Sequence, residues 1–234
     1  MRPGVISILD DARGKLSAYA ALLNYRFANL CVKAAPESLL PVMVVVGEET
    51  QNIENVAKVR LTPEREDQFE IFPLSPDFLM PIVKGIAEVH PEFKIDLVGF
   101  EGSDDPDDRI IVATMPVVDD TRHDILTEAV GVLSDTANAQ IETTFTLFTA
   151  RLAARLADAD PEELDEAKDQ LQQLHDKASD ICKQYRADKE KEIEDAYQRF
   201  LAEKAEKEAV LQKAQEEAQN LQAGLQMKMT PGDD

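Results

Sequence analysis

The residue types that most often bind metal ions are few in this chain. Its 234 residues include three histidines and two cysteines, at His90, His123, His175, Cys31 and Cys182. Metal sites that can be recognised in a sequence place such residues a few fixed positions apart, as in C-x-x-C or H-E-x-x-H. None of the five has a neighbour at that spacing. We therefore expect histidines at the surface or at an interface, with no metal ion and no cofactor.

Two segments resemble ligand-binding loops only in composition. Residues 104–108 are acidic, but a proline interrupts them, and they lack the alternating ligands and turn glycine of a calcium loop. Residues 99–103 contain two glycines, but no Gly-Lys-Ser/Thr follows, as a phosphate-binding loop requires. Carboxylates are plentiful, yet no pair is distinguished for acid–base catalysis, and no nucleophile has an elbow motif. The sequence therefore indicates a protein that is not an enzyme.

The charge of the chain limits its partners. The 46 Asp and Glu residues outnumber the 25 Lys and Arg residues, and the net charge is −21. Only residues 1–30, with four basic and two acidic side chains, are net positive. Such a field repels nucleic-acid backbones and anionic membranes at long range, so any RNA contact has to be local or assisted by another molecule. We predict no DNA partner and no membrane partner.

The sequence indicates neither a signal peptide nor a membrane-spanning segment. No apolar run approaches the roughly 18 residues that suggest a transmembrane helix. We therefore expect a cytoplasmic location in a reducing compartment. There, Cys31 and Cys182 would remain free thiols rather than form a disulfide.

Three parts of the chain have the apolar period of a helix. Residues 5–29 predict one amphipathic helix, and a long helical hairpin follows later. Its first arm is residues 117–158, which contain no proline and one glycine. Asp160 is placed as the N-cap of the second arm, with Pro161 at its first position and Glu163 at its third, as in a capping box. Facing apolar stripes are predicted at Val5, Leu9, Ala12, Leu16, Tyr19, Leu23 and Phe27, at Leu126, Val130, Leu133, Ala137, Ile141, Phe145, Phe148 and Leu152, and at Leu164, Ala167, Leu171, Leu174, Ala178, Ile181 and Tyr185.

The predicted fold class is α+β, with an elongated three-helix bundle interrupted by a compact β/α/β domain. Short apolar or alternating runs predict strands near residues 42–46, 56–61, 68–72, 94–98 and 109–115, with a short helix at 76–89. The bundle would comprise residues 1–30 plus 116–200, and the inserted domain residues 31–115. Residues 201–234 predict a helical, partly disordered C-terminal extension. The chain would cross between the domains twice at a hinge, formed by Leu30, Cys31, Val32, Lys33, Thr114, Met115 and Pro116.

Five motifs in this order resemble the ribosome recycling factor family, nearly to residue 200. They are the basic-Ala-x-Pro-x-Leu-Leu motif, matched with one insertion by residues 33–40; the strand, glycine turn and following segment at 44–47 and 52–57; the strand and helix at 69–73 and 81–86; the opening of the second long helix at 115–122; and the closing helix at 172–177 and 189–193. The resemblance implies a recycling factor-like fold. It also implies a protein without cofactor that binds the post-termination ribosome and assists subunit separation with elongation factor G.

The chain departs from that family where the family contacts ribosomal RNA. An arginine-rich pattern midway along the second long helix is replaced here at Glu142, Phe145 and Thr146. Arginine suits such a surface because it binds phosphate in a bidentate manner, whereas a glutamate repels it. The remaining candidates for ribosome or RNA contact are Lys33, Arg122, Arg151 and Arg155.

Two functions therefore stay open. The first is ribosome recycling, with ribosomal RNA and elongation factor G as partners. The second is a divergent paralogue that has abandoned recycling and keeps the scaffold as a protein-interaction or regulatory module, with an unknown protein partner. The family motifs favour the first function, and the lost arginines with the charge of −21 favour the second.

Overall fold

The computed structural model describes residues 2–62, 65–99 and 109–228, with side chains described as far as residue 219. The acidic segment 104–108 and most of the glycine-containing run 99–103 lie outside these residues. In chain order the elements are α1 (Pro3–Ala28), β1 (Met43–Val46), β2 (Glu49–Asn52), α2 (Ile53–Val56), β3 (Ala57–Leu61), β4 (Gln68–Pro73), α3 (Leu79–Val89), β5 (Lys94–Gly99), β6 (Arg109–Thr114), α4 (Asp120–Arg155) and α5 (Pro161–Lys228). The α+β fold class is thus confirmed.

Helices α1, α4 and α5 pack against one another and bury the predicted stripes. The buried positions include Leu9, Leu16, Leu23 and Phe27 on α1, Val130, Ile141, Phe148 and Leu152 on α4, and Ala167 and Leu171 on α5. The stripe on α4 differs at two positions. Ser134 and Thr144 are buried, whereas Leu133 and Phe145 are only partly buried. A helix that packs against two neighbours buries a face wider than one apolar stripe. On α4 this wider face includes the polar residues Ser134 and Thr144.

An aspartate caps the N-terminus of each helix of the hairpin. Asp119 caps α4 by accepting a hydrogen bond from the Arg122 amide at 2.8 Å, so α4 begins at Asp120 and not at residue 117. Asp160 likewise accepts from the Glu162 amide at 3.1 Å. The predicted capping box is wrong, because the Glu163 carboxylate is engaged elsewhere. It accepts from the Arg2 amide at 3.1 Å and also pairs with the Arg2 guanidinium at 3.2 Å.

Among the described residues of the inserted region, six strands form two antiparallel sheets. A four-stranded sheet has the order β3-β4-β6-β5, and β1 and β2 form a hairpin through Gly47, whose φ of +64° suits glycine. Helix α3 packs against β1 at Gly85, where an added Cβ would lie 2.5 Å from the Met43 carbonyl oxygen. Glycine therefore permits the close approach of helix and strand. The core beneath includes Phe69, Ile71, Ile82, Ile86 and Ile111.

The apolar cores of the two regions are separate. One cluster contains residues between Cys31 and Met115, and two further clusters lie within the bundle. Val32 and Val118 pack into a bundle cluster, although each is close in sequence to a residue of the other core. Along the first crossing the chain therefore alternates between the cores, because Cys31 and Ala34 belong to the inserted core and Val32 to the bundle, and it returns to the bundle between Met115 and Val118. The domain boundaries at residues 30/31 and 115/116 stay a prediction.

Helix α5 continues well beyond the bundle. Residues 202–219 are all exposed, including Val210 and Leu211 at 62% and 59% of their surface. The helix is described to Lys228, and residues 229–234 lie outside the described chain. Among the described helices, none is both long and apolar enough to cross a membrane.

Candidate functional site

The two predicted crossings lie against one short segment of the inserted region. The Ala34 amide donates to the Glu66 carbonyl at 2.7 Å, and the Met115 amide donates to the Asp67 carbonyl at 2.8 Å. Both crossings are therefore fixed to the inserted region at these points. The backbone that can rotate between the two cores is therefore limited to the few residues between these hydrogen bonds and the bundle.

Arg122 holds the first crossing from the bundle side. It lies in the first turn of α4, and one guanidinium nitrogen donates to the Cys31 carbonyl at 3.1 Å and to the Leu30 carbonyl at 3.5 Å. Burial lowers the pKa of Arg122, while the nearby Glu92 carboxylate acts in the opposite direction. Arg122 is a candidate RNA contact in the sequence, but in the structure its guanidinium already joins the bundle to residues 30–33, the chain of the first crossing, here called the linker.

Lys33 belongs to a second contact between the regions. The Lys33 ammonium donates to one Glu66 oxygen and the Arg199 guanidinium of α5 donates to the other, each at 3.0 Å. These two hydrogen bonds hold the pKa of Glu66 below its usual value. All three side chains are about half exposed, so the contact contributes little stability and can open readily. An open cavity of about 510 Å³ lies beside it, between Val32 and Phe200.

Arg151 and Arg155 lie at the other end of α4. Both are exposed and are one helical turn apart. The Arg151 guanidinium lies 5.0 Å from the centre of the Phe148 ring, and Arg155 lies over Gly4, whose added Cβ would meet it at 2.7 Å. Thirty-three residues of helix separate Arg122 from Arg155, which corresponds to about 50 Å. The four candidate contacts therefore form two groups at opposite ends of the bundle.

The substituted patch on α4 forms a small network with α5. His175 approaches a Glu142 oxygen with Nε2 at 2.8 Å and an Asp176 oxygen with Nδ1 at 3.0 Å. The partly buried Phe145 ring lies 4.6 Å from the imidazole, and Thr146 is exposed. Ring burial lowers the pKa of His175, but the two carboxylates outweigh it and raise that pKa overall. The surface here is acidic, and the carboxylates of Glu142 and Asp176 are already paired with His175.

His90 is buried, whereas the sequence predicted histidines at the surface or at an interface. Its side chain is 5% exposed, and its Nδ1 lies 3.7 Å from Cys31 Sγ and 3.4 Å from a Glu92 oxygen. Sequence patterns could not indicate this cluster, because Cys31 and His90 are 59 positions apart. Cys31 is also one of the residues with a positive φ, at 53°.

The cluster at His90 is not a nucleophilic site. Cys31 is only 1% exposed, and burial raises the pKa of its thiol to about 11. A nucleophilic cysteine needs an accessible thiolate. Burial likewise raises the pKa of Cys182. Both cysteines are free, which confirms the prediction of two thiols.

His123 contributes to packing between α4 and α5 in the first turn of α4, near Arg122. Its ring stacks on Tyr197 at 4.4 Å, and its Nε2 lies 3.4 Å from a Glu194 oxygen. The Tyr197 hydroxyl donates to Asp120 at 2.7 Å. An interface position for His123 agrees with the prediction. Its partners Glu194 and Tyr197 lie some 70 residues away, so no local pattern could identify them.

Comparison with known proteins finds similarity in the fold. The sequence matches no known protein family model, and no curated protein matches it significantly. A solved solution structure of the ribosome recycling factor is similar, with a TM-score of 0.66 and 17% sequence identity. The alignment covers 83% of this chain and 100% of that one. At this identity the likeness concerns architecture alone, and this chain has a ribosome recycling factor-like fold.

Proposed function

We propose that this protein acts in translation as a ribosome recycling factor-like protein. It would bind the post-termination ribosome and assist separation of the subunits together with elongation factor G. The observation that supports this most is the fold, which spans 100% of a solved recycling factor. A single fold can host several functions, so the proposal also depends on the linker and on the exposed arginines.

The linker suits a protein that works by transmitting force. Arg122 fixes the first crossing to the bundle, whereas Ala34 and Met115 fix both crossings to the inserted region. Rotation between the regions would therefore occur over a few residues, and the Lys33–Glu66–Arg199 contact would open or reform. In this proposal no covalent bond is made or broken by the protein.

Arg151 and Arg155 are the best candidates for direct contact with ribosomal RNA. Both are exposed and one turn apart, so together they present two guanidinium groups on one face. Arg122 and Lys33 contribute differently, because each already has a partner at the linker. We propose that these two act chiefly by setting the arrangement of the regions.

The test is ribosome binding followed by subunit separation. Arg151→Glu with Arg155→Glu changes the charge by −4, and Lys204→Glu with Lys207→Glu does the same on the exposed part of α5. The arginine variant should lose most ribosome co-sedimentation, and the wild-type binding should weaken as salt is raised. The lysine variant controls for net charge and should keep binding. Equal binding by both variants would remove these arginines from the proposal.

Separation of subunits is measured on post-termination ribosomes with elongation factor G and GTP, by light scattering. The wild-type protein should accelerate the loss of intact ribosomes over elongation factor G alone. No acceleration by a protein that still co-sediments with ribosomes would contradict recycling but leave ribosome binding intact.

A second function is supported by the network around Glu142. Glu142 is paired with His175 and lies on a surface that would repel phosphate. This supports a divergent paralogue that does not recycle ribosomes and instead serves as a protein-interaction or regulatory module. In that case the wild type should not bind ribosomes, and Glu142→Arg with Thr146→Arg should raise its ribosome affinity. Thr146→Arg alone is the control, because it adds a positive charge but keeps the Glu142–His175 contact.

A further inference from the structure

Three side chains with metal-binding atoms converge where the chain first enters the inserted region. Cys31 lies in the first crossing, His90 directly follows the last residue of α3, and Glu92 lies in the turn before β5. Their sulfur, nitrogen and oxygen atoms all lie within 4.8 Å of one another. Among the described residues, this is the only group of three such side chains close enough to share one ion.

The distances resemble those between ligands of a tetrahedral metal ion. At the tetrahedral angle, zinc–ligand distances of about 2.3 Å for sulfur and about 2.0 Å for nitrogen or oxygen give separations of about 3.5 Å between sulfur and nitrogen and about 3.3 Å between nitrogen and oxygen. The observed separations are 3.7 Å from Cys31 Sγ to His90 Nδ1, and 3.4 Å from that nitrogen to the Glu92 oxygen. The remaining separation, at most 4.8 Å, would close by rotation of the partly exposed Glu92 side chain.

The orientation of His90 leaves a lone pair directed at the cluster. Its Nε2 lies 2.8 Å from the Ser38 carbonyl oxygen, which can only accept, so Nε2 carries the proton. In the neutral imidazole, Nδ1 then faces Cys31 and Glu92 with its lone pair. Metal-binding histidines typically donate their other N–H to a carbonyl or carboxylate in this way. The Phe93 ring, stacked on the imidazole at 4.5 Å, further fixes its plane.

We propose that Cys31, His90 and Glu92 bind one divalent transition-metal ion, for which Zn²⁺ is the best chemical match. The donor set of thiolate, imidazole and carboxylate suits zinc, with water completing four-coordination. The two anionic ligands neutralise the charge of the ion. Binding converts the Cys31 thiol to a thiolate and releases its proton to solvent. The Glu92 side chain, 38% exposed, gives the ion a path from solvent.

The proposed site would join the linker to the inserted region. Cys31 contributes its thiol from the linker, and its carbonyl is held by Arg122 of the bundle. A bound ion would hold the Cys31 backbone against the end of α3 and so restrict motion of the first crossing. This effect is independent of ribosome binding, so the site stands whether or not the protein acts in translation.

The first experiment titrates Co²⁺ into the metal-free, reduced protein. Cobalt substitutes for zinc, and a thiolate ligand gives a charge-transfer absorption in the near ultraviolet. We expect saturation at one equivalent, intense visible bands of a tetrahedral site, and displacement by one equivalent of Zn²⁺. Absence of the thiolate absorption from the folded protein would overturn the proposal.

Variants locate the ion on the chain. Cys31→Ser should abolish the thiolate absorption, whereas Cys182→Ser changes the other buried thiol and should leave it intact. Absorption that persists in the first variant, or disappears in the second, would place the ion elsewhere and refute the site. Glu92→Gln changes a partly exposed group and should fold normally. It should lower the cobalt affinity at least about tenfold, and unchanged affinity would remove Glu92 from the ligands.

Thermal unfolding provides a readout that does not depend on cobalt spectra. Zn²⁺ should raise the unfolding temperature of the wild type and of Cys182→Ser by mass action. It should not raise that of Cys31→Ser, whose folding is checked by circular dichroism. An equal rise in Cys31→Ser would show that zinc stabilises the protein from another site and would overturn the proposal.

Discussion

Replacing Leu171 by alanine tests the three-helix core directly. Leu171 of α5 is 0% exposed and lies in one cluster with Val5, Phe148 and Leu152 from the other two helices. The change removes three carbon atoms from this core, and at about 0.8 kcal/mol for each the transfer term alone is about 2.4 kcal/mol. A residual cavity adds to this, so the free energy of unfolding should fall by about 2–5 kcal/mol.

The same substitution on the exposed part of the same helix supplies the control. Leu211 is 59% exposed, so Leu211→Ala should change the free energy of unfolding by less than about 0.5 kcal/mol. The chain has no tryptophan, so urea unfolding is followed by far-ultraviolet circular dichroism, which reports on the helices. A loss below about half a kcal/mol for Leu171→Ala, or equal losses for both variants, would refute the packing of α5 against α1 and α4.

Two further predictions concern the α4–α5 network and the inserted region. The pKa of His175 is raised in the folded protein, because Asp176 and Glu142 accept hydrogen bonds from it and outweigh ring burial. The stabilisation from His175 is therefore present below the unfolded pKa of about 6.5 and is lost as pH rises through the folded pKa. In His175→Gln, the unfolding midpoint should depend less on pH over this range than it does in the wild type. An unchanged dependence on pH would contradict this role of His175. Gly85→Ala should destabilise the protein by about 1–3 kcal/mol, because the added Cβ would lie 2.5 Å from the Met43 carbonyl. Gly14→Ala on α1, where no described atom beyond the adjacent residues and the helix's own backbone lies within 4 Å of the added Cβ, is the matched control and should not destabilise the protein.

Features set by neighbouring residues were predictable from the sequence. The start of α5 follows from Asp160 and Pro161, because capping involves atoms only two or three residues apart. The strand of residues 68–72 was predicted from its alternation and is found as β4, with Phe69 and Ile71 buried. The start of α4 was misplaced by three residues, since an apolar pair before Asp119 imitates helical continuity.

The sequence could not decide which polar groups would meet across the fold. Arg122 has the sequence context of a free helix charge, yet its partners are carbonyls about 90 residues earlier. Glu163 is placed for a capping box, yet its carboxylate accepts a hydrogen bond from Arg2, 161 positions earlier in the chain. In both cases the local option competed with a partner brought close only by packing of the helices.

The amino-acid sequence by itself determined the order and type of most elements, with β2 and α2 as exceptions, and with them the α+β architecture. Hydrophobic period and capping residues act within a turn or two of the chain, so they can be recognised without coordinates. Only the tertiary structure decided which reactive and charged side chains lie close to one another. It brought Cys31 to His90 and Glu92 and placed the candidate arginines at opposite ends of α4. Side-chain chemistry of this kind depends on distances of a few ångströms between residues far apart in sequence, which no local pattern encodes.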